Sequence, residues 1–278
     1  MRCLIFNASL LFPNNVLSHH TFSPYFFTVR FYILSDSIVI IPTFNERENI
    51  ENITRAVFSL EKPFHVLVID DGSPDGTADV VRELMRTEFA NRLFLETRTG
   101  KLGLGTAYIH GFRWALAHNY AYICEMDADF SHNPKDLLRL QAACAVEGFD
   151  MAVGSRYVRG GKLENWPIDR ILMSYGASIY VRCVTWMWIK DPTAGFVCYT
   201  RAVLDTLDLS KIRFVGYAFQ IEMKFASWLL GFRLKEVPIT FTDRIEGTSK
   251  MSSNIFNEAV IGVLKMKWNS FTMSYRRS

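Results

Sequence analysis

The sequence predicts an α/β fold, a mostly parallel sheet flanked by helices, and three observations carry that prediction. From Ser37 onward, short β-branched runs alternate with stretches of helical spacing, the order in which a parallel sheet receives its crossover helices. Two runs end in acidic turns, Asp70-Asp71-Gly72 and Glu125-Met126-Asp127-Ala128-Asp129. Open α/β sheets place ligands in the crevice beyond the carboxyl ends of their strands. The 278 residues are 49% apolar, enough for a sizeable core and too apolar for disorder through the bulk of the chain. No internal repeat or low-complexity linker divides it. One main domain is expected over residues 37–250, after an extension at 1–36 and before a tail at 251–278.

The elements follow in order. Residues 38–41 read as the first strand and 46–60 as the helix after it. The strand at 66–69 closes on Asp70-Asp71-Gly72-Ser73-Pro74-Asp75-Gly76, with Thr77 as the expected cap of a helix over 78–87. A third strand at 92–96 leads to a helix at 106–118, and a strand at 120–124 opens into the acidic pair. Asn133-Pro134 starts the next helix, since proline suits a first helical turn, and 151–154 is a further strand. Glu222 falls in an apolar helix at 219–228. A carboxylate there is expected to bond a cation or backbone groups near the site.

The two ends differ from the middle. Residues 1–17 carry one Arg and an apolar stretch loosely like a signal peptide. However, Asn7, Pro13, Asn14 and Asn15 interrupt it and no small-residue cleavage site follows. The first 36 residues are therefore expected to be a poorly ordered extension, with the working protein beginning near Ser35. The tail from Asn254 places Ile255, Phe256, Ala259, Val260, Val263, Leu264 and Phe271 at helical spacing, with Trp268 prolonging the row. Lys265, Lys267, Arg276 and Arg277 face one acid there, Glu258. Such an amphipathic helix suits either a membrane surface or packing on the domain. Residues 171–189 are apolar but broken by Ser174, Gly176, Ser178, Arg182 and Thr185, so a buried or interfacial helix is expected rather than a span.

A net charge of +3 argues against a nucleic-acid partner. Five cysteines, Cys3, Cys124, Cys144, Cys183 and Cys198, form no CxxC pair and read as reduced core thiols of a cytoplasmic protein. The first strand–helix turn, Pro42-Thr43-Phe44-Asn45-Glu46, has no glycine to admit a pyrophosphate, which disfavours an NAD enzyme. Gly100-Lys101-Leu102-Gly103-Leu104-Gly105 lacks the end of a phosphate-binding P-loop and reads as a flexible loop over the site. An Asp75-Gly76 turn is structural, whereas Asp70 and Asp71 at a strand end can reach a base or ribose. Asp127 and Asp129 offer two hard oxygen ligands, suited to Mg²⁺ or Mn²⁺ bound with a substrate diphosphate. His132 has no second histidine at helical spacing and is read as a helix-start residue rather than a ligand.

PTFNERENI, VIDDGSPDGT, GKLGLGTAYIHG, MDADFSHNP, GSRY, a Gly-Gly-x4-Trp segment, GYAFQIEMKF, EVPITFTDR and RIEGTSK occur in that order. Together they resemble the dolichyl- or polyprenyl-phosphate mannosyltransferases of glycosyltransferase family 2, which have the Rossmann-like GT-A fold of nucleotide-diphospho-sugar transferases. The resemblance implies that Pro42, Phe44, Glu46, Ile69 and Asp71 surround the nucleotide base and ribose. It places Asp127, Ala128 and Asp129 at the diphosphate, with Asp127 and Asp129 on a Mg²⁺ or Mn²⁺ ion. Arg156, Arg244 and Lys250 match cations that hold the nucleotide sugar, with Arg156 among the catalytic groups, and Arg170 matches one that holds the acceptor phosphate. Two positions depart from the family. Phe44 stands where Tyr is usual, and Ser131 where some relatives have a Gln metal ligand, leaving the third protein ligand open.

The implied reaction moves mannose from GDP-mannose to a polyprenyl phosphate with inversion, giving a β-linked product. A phosphate monoester, with a second pKa of ~6, is already largely ionised at neutral pH and needs no general base. Cations that bring two anionic phosphates together are needed more. The alternatives are the same chemistry with another donor such as UDP-glucose, a metal-dependent nucleotidyltransferase, or a silent nucleotide-binding subunit. The nucleotidyltransferase would need a triphosphate-gripping loop that PTFNERENI does not provide. The lipid acceptor implies peripheral association with the cytoplasmic face of a membrane, through the tail helix and residues 171–189 or through a small membrane-anchoring partner.

Overall fold

The structure is a computed structural model that describes residues 35–216, 218–243 and 253–277, with side chains in the last segment from residue 260. Residues 1–34 of the extension expected at 1–36, with Cys3 among them, and Arg244 and Lys250 lie outside the described residues.

The first strand, β1 (Ser37–Thr43), is followed by α1 (Arg47–Phe58), β2 (His65–Asp70), α2 (Thr77–Thr87), β3 (Leu93–Thr97), α3 (Leu104–Ala117) and β4 (Tyr122–Glu125). Then come α4 (Asp136–Ala145), β5 (Met151–Ser155), β6 (Lys162–Glu164), α5 (Ile168–Thr185), β7 (Val197–Thr200) and α6 (Arg201–Thr206). Helix α7 (Ala218–Leu229), β8 (Leu234–Pro238), β9 (Thr240–Thr242) and α8 (Ser253–Asn269) complete the order. Seven strands form one sheet in the order β3-β2-β1-β4-β7-β5-β8. It is parallel except for β7, which runs antiparallel to both β4 and β5. Strands β6 and β9 pair separately.

Alternation builds the two faces. Ile38, Ile40, Leu67 and Ile69 enter the core on one side of the sheet, and Val39, Ile41, Val66 and Val68 the core on the other. Successive side chains on a strand point to opposite faces. A sheet covered on both sides therefore reads as a continuous apolar run. The order of strands and helices through β5 is the one expected, with two local corrections. Thr77 is the first residue of α2 rather than its cap. Asp75 Oδ1 accepts from the Thr77 amide at 2.9 Å and its hydroxyl at 2.6 Å. Strand β4 starts at Tyr122, because the Tyr120 amide still closes the end of α3 on the Ala115 carbonyl at 3.2 Å. Cys124, Cys144 and Cys198 are buried as expected, but Cys183 on α5 is exposed.

Helix α8 packs part of its apolar stripe on the domain, the second of its two expected fates, and leaves the rest exposed. Val263 and Met266 are buried in the domain core, while Ile261, Leu264, Trp268 and, just past its end, Phe271 are exposed. Beside it, α5 buries Ser178, Val181 and Thr185 and exposes Ile168, Leu172, Met173, Tyr175 and Ile179. Among the described residues no helix is long and apolar enough to cross a membrane.

Candidate active site

The parallel strands deliver their carboxyl ends to one side of the sheet. At the end of β2, Asp70 builds the turn. Its carboxylate accepts from the Thr43 hydroxyl at 2.9 Å, the Ser73 hydroxyl at 2.6 Å and the Ser73 amide at 2.9 Å. Asp71 is held differently. Its amide donates to the Thr43 carbonyl at 3.0 Å, and its carboxylate meets Arg98 Nε at 2.6 Å and Nη2 at 2.5 Å. Arg98 Nη1 also donates to the Thr106 hydroxyl at 2.8 Å, in the first turn of α3. Sequence reasoning missed Arg98. Its signal was a lone cation one residue past β3, brought to Asp71 by a register that pairs Asp70 with Thr97.

Pro42 and Phe44 lie half-buried at the end of β1, and Glu46 precedes α1 with its carboxylate accepting from Asn49 at 3.0 Å. Lys101 Nζ lies 5.2 Å above the Phe44 ring. Ile69 is 0% exposed, so it has no surface to give a nucleotide, and its part is to carry Asp71 two residues on. The glycine-rich loop is docked rather than loose. The Gly105 amide donates to the Val215 carbonyl at 2.9 Å. A Cβ at Gly103 would stand 2.7 Å from that oxygen, and one at Gly105 2.7 Å from the Phe214 carbonyl. These glycines permit close approach.

The acidic loop leaves β4 with the Met126 amide on the Ile40 carbonyl at 3.2 Å. Asp127 keeps 40% of its side chain exposed, and the Tyr108 hydroxyl reaches its Oδ1 at 3.5 Å. Asp129 Oδ1 accepts from the Ser131 amide at 3.0 Å, and Ala128 between them is buried. Phe130 turns the chain at φ 58°, a left-handed conformation rare for a bulky residue and common where a loop serves a site. His132 is not at a helix start. It forms a bridge with Phe241, stacks on Phe196 at 4.8 Å, and its Nδ1 accepts from the Asp127 amide at 3.4 Å. Burial pushes its pKa down to about 4, which keeps the ring neutral and accepting at that nitrogen.

Two carboxylates at the mouth fit a hard divalent ion that takes its remaining ligands from a diphosphate and water. The Ser131 hydroxyl, at the open ligand position, is enclosed without a hydrogen-bond partner. Among the described residues no group of three His, Cys, Asp or Glu side chains converges on a metal position.

Beneath the loop, Glu125 is fully buried and accepts from Gln220 Nε2 at 2.8 Å. Lys224 is fully buried too, donating to the Ala194 carbonyl at 2.6 Å. Burial pushes Glu125 up to about 8 and Lys224 down to about 8. Glu222, on the same helix, bonds backbone, one of the two options expected of it. It accepts from the amides of Arg213 at 2.7 Å and Phe214 at 2.9 Å, and from the Tyr275 hydroxyl at 3.1 Å.

The expected phosphate-binding arginines have partners. Arg156 grips Asp191 through Nε at 2.7 Å and Nη2 at 2.6 Å, with its amide on the same carboxylate at 3.0 Å. Its side chain is 9% exposed, so this fork faces a buried carboxylate rather than the open site. Burial works against the Asp191 charge, yet Arg156 holds that carboxyl below its ordinary value. Arg170 is more open, 31% exposed, with Nη1 2.8–2.9 Å from both oxygens of Asp243. Trp166 lies 3.9 Å beneath Arg170 and Phe241 5.6 Å from Arg156. Phe241 also packs edge-on against His132 at 5.3 Å. The acidic loop and both arginines therefore share one aromatic wall.

The family model described as "Glycosyl transferase family 2" matches residues 38–207, more than half of the chain. The chain is 46% identical over 227 residues to polyprenol monophosphomannose synthase of Mycolicibacterium smegmatis, covering 82% of this chain and 85% of that protein. It is 43% identical over 228 residues to undecaprenyl-phosphate mannosyltransferase of Micrococcus luteus, covering 82% and 92%. Among solved structures it is similar to glucosyl-3-phosphoglycerate synthase from Mycobacterium tuberculosis in complex with Mn²⁺, UDP and glucosyl-3-phosphoglycerate. The TM-score there is 0.60, at 15% identity, over 84% of this chain and 78% of that one. It is also similar to the mannosyltransferase PcManGT from Pyrobaculum calidifontis in complex with GDP-Man and Mn²⁺. That match has a TM-score of 0.53 at 17% identity, over 85% and 64%.

Proposed function

The chain belongs to glycosyltransferase family 2 and is a hexosyltransferase with the GT-A fold, and from that premise we propose that it moves mannose from GDP-mannose to a polyprenyl phosphate with inversion. The observation that carries this reading is the shared wall, on which His132 and Phe241 join Asp127 and Asp129 to Arg156 and Arg170. A donor diphosphate at the acidic loop and an acceptor phosphate at Arg170 then lie side by side. The likeness to two proteins named for mannosyl transfer to polyprenyl phosphates supports the donor sugar and the acceptor class.

Departure of a nucleoside diphosphate builds negative charge, and preorganised cations stabilise that charge where it develops. Asp127 and Asp129 would hold Mg²⁺ or Mn²⁺, which when bound supplies Lewis-acid stabilisation of the leaving diphosphate. Asp71, fixed by Arg98, sits at the end of β2 for the nucleoside. The acceptor phosphate is already an anion, so no side chain has to remove a proton from it. In-line attack opposite the leaving group inverts the anomeric carbon. Arg170 is the exposed cation for the acceptor, and its guanidinium would exchange Asp243 for phosphate.

The acceptor's lipid tail calls for contact with a bilayer. The exposed apolar faces of α5 and α8 supply it, with Lys267 lying 4.1 Å over the Trp186 ring beside them. A cation with its stem along apolar surface and its head in water suits the interface of a membrane. This reading places the protein on the cytoplasmic face, where nucleotide sugars are made.

The test is transfer of radiolabelled sugar into an organic-extractable lipid with short polyprenyl phosphate and Mg²⁺ or Mn²⁺. GDP-mannose and UDP-glucose run in parallel, each with an EDTA control. EDTA-sensitive label from GDP-mannose alone is expected. Label from UDP-glucose alone overturns the donor, and label from neither, with purified protein on vesicles, overturns the reading.

A further inference from the structure

A buried polar spine runs under the site, through residues that the transfer chemistry leaves unused. It starts at Glu125, the last residue of β4. Glu125 Oε2 accepts from Gln220 Nε2 at 2.8 Å. One turn further along α7, Lys224 Nζ donates back to the Gln220 carbonyl at 3.1 Å and onward to the Ala194 carbonyl at 2.6 Å. The Ala194 amide donates to the Asp191 carbonyl at 3.3 Å, and the Asp191 side chain takes the Arg156 fork. The hydrogen bonds are joined through the Gln220, Ala194 and Asp191 residues themselves, and Glu125, Gln220, Lys224 and Asp191 are all 2% exposed or less.

Nothing about stability alone calls for such a spine, because a buried ionic network is commonly no better than apolar packing of the same volume. Its two ends are what it joins. One is the residue from which the Asp127–Asp129 loop departs, and the other is Arg156. Interiors are close-packed, so a buried hydrogen-bonded network holds a fixed spacing. We propose that Gln220 and Lys224 are positioning residues, which set the distance between the acidic loop and Arg156 without touching either substrate. Displacement of reacting groups by about 1 Å can cost roughly 10²-fold in rate. The inference rests on the proposed sugar transfer, and its test separates the two.

Three variants are compared with wild type: Lys224→Met, Gln220→Leu, and the double variant Glu125→Gln/Lys224→Met, which removes both buried charges together. Each is read for Tm, for kcat and KM at saturating Mn²⁺, and for Mn²⁺ affinity by EPR titration without nucleotide. The double variant is expected to recover the Tm lost by Lys224→Met while its kcat stays roughly 10²-fold down, with KM for the nucleotide sugar near the wild-type value. Recovery of kcat together with Tm would reduce the pair to buried-charge balance and overturn the proposal, as would a wild-type kcat in folded Gln220→Leu. If wild type transfers sugar from neither donor, the proposed reaction fails and the Mn²⁺ titration alone decides. Binding weakened roughly tenfold in the double and Gln220→Leu variants supports positioning of the acidic loop, and unchanged binding overturns it.

Discussion

Tyr180 donates its hydroxyl to the Val260 carbonyl at 2.7 Å, and that bond ties α5 to α8 so that their exposed apolar residues belong to one surface. The tail helix is anchored from beneath as well, since Val263, Met266 and Tyr275 are buried in the domain core. Removing the chain after Ser253 would therefore take core residues with it, and point substitutions make a cleaner test of the surface. Large apolar side chains contribute about 1.5–3 kcal/mol each when fully buried, so an Ile261→Ser/Leu264→Ser/Trp268→Ser variant should lose vesicle sedimentation by at least roughly tenfold. GDP binding should be unchanged in the same variant. Sedimentation at the wild-type level would assign membrane contact to another face or to a partner.

Arg98 is the counter-ion of Asp71, with both side chains 9% exposed. Removing one partner of a buried pair leaves an uncompensated charge and destabilises by about 3–5 kcal/mol. Arg98→Met should therefore lower the unfolding free energy at pH 7 by that order, measured by urea denaturation. Asp71→Asn/Arg98→Met should recover part of the loss. A loss in Arg98→Met within error of zero would mean that Asp71 does not depend on this guanidinium.

How much of this could be read beforehand depended on whether a feature was local. Strands β1 and β2 were legible because burial on both faces makes residues 38–41 and 66–69 continuous β-branched runs. The acidic pair was legible because Asp127 and Asp129 follow a strand directly. Strand β7 was not, since a reversed strand inside a parallel sheet has no period of its own. The arginines were half legible: their positions stood in the sequence, but Asp191 lies 35 residues from Arg156 and Asp243 lies 73 from Arg170. The same limit hid Arg98 and the use of Gly103 and Gly105 as contact points for residues 214 and 215. His132 misled because its neighbours in sequence suggest a helix start, whereas Phe241, far along the chain, sets its place.

Asp129 Oδ1 accepts a hydrogen bond from the Ser131 amide at 3.0 Å. Asp129→Asn keeps that acceptor and removes the charge, so the fold should persist while transfer falls by roughly 10²-fold or more. The Mn²⁺ concentration for half-maximal activity should rise in the residual turnover. Unchanged turnover would remove the acidic loop's charge from the mechanism.

Lys224 makes a pH prediction that is independent of turnover. Burial depresses its folded pKa from the ordinary lysine value to about 8, and Glu125, Asp191 and Glu236 only partly oppose this while Arg156 reinforces it. Between pH ~8 and the unfolded value of ~10.4, the unfolded chain holds a proton that the folded chain has lost. Unfolded protein then binds more protons, so the contribution of this group to stability rises with pH across that window. Below it, the folded state carries the full penalty of a desolvated ammonium, on the order of 3 kcal/mol. Other lysines and tyrosines titrate in the same range, so the measurement is a difference. Unfolding free energies of wild type and Glu125→Gln/Lys224→Met are compared from pH 9 to 10.5, above the titration of Glu125 near 8, and the gap should shift in favour of wild type as pH rises. A gap that stays flat would mean that Lys224 titrates at its ordinary value and is not held in a desolvated position.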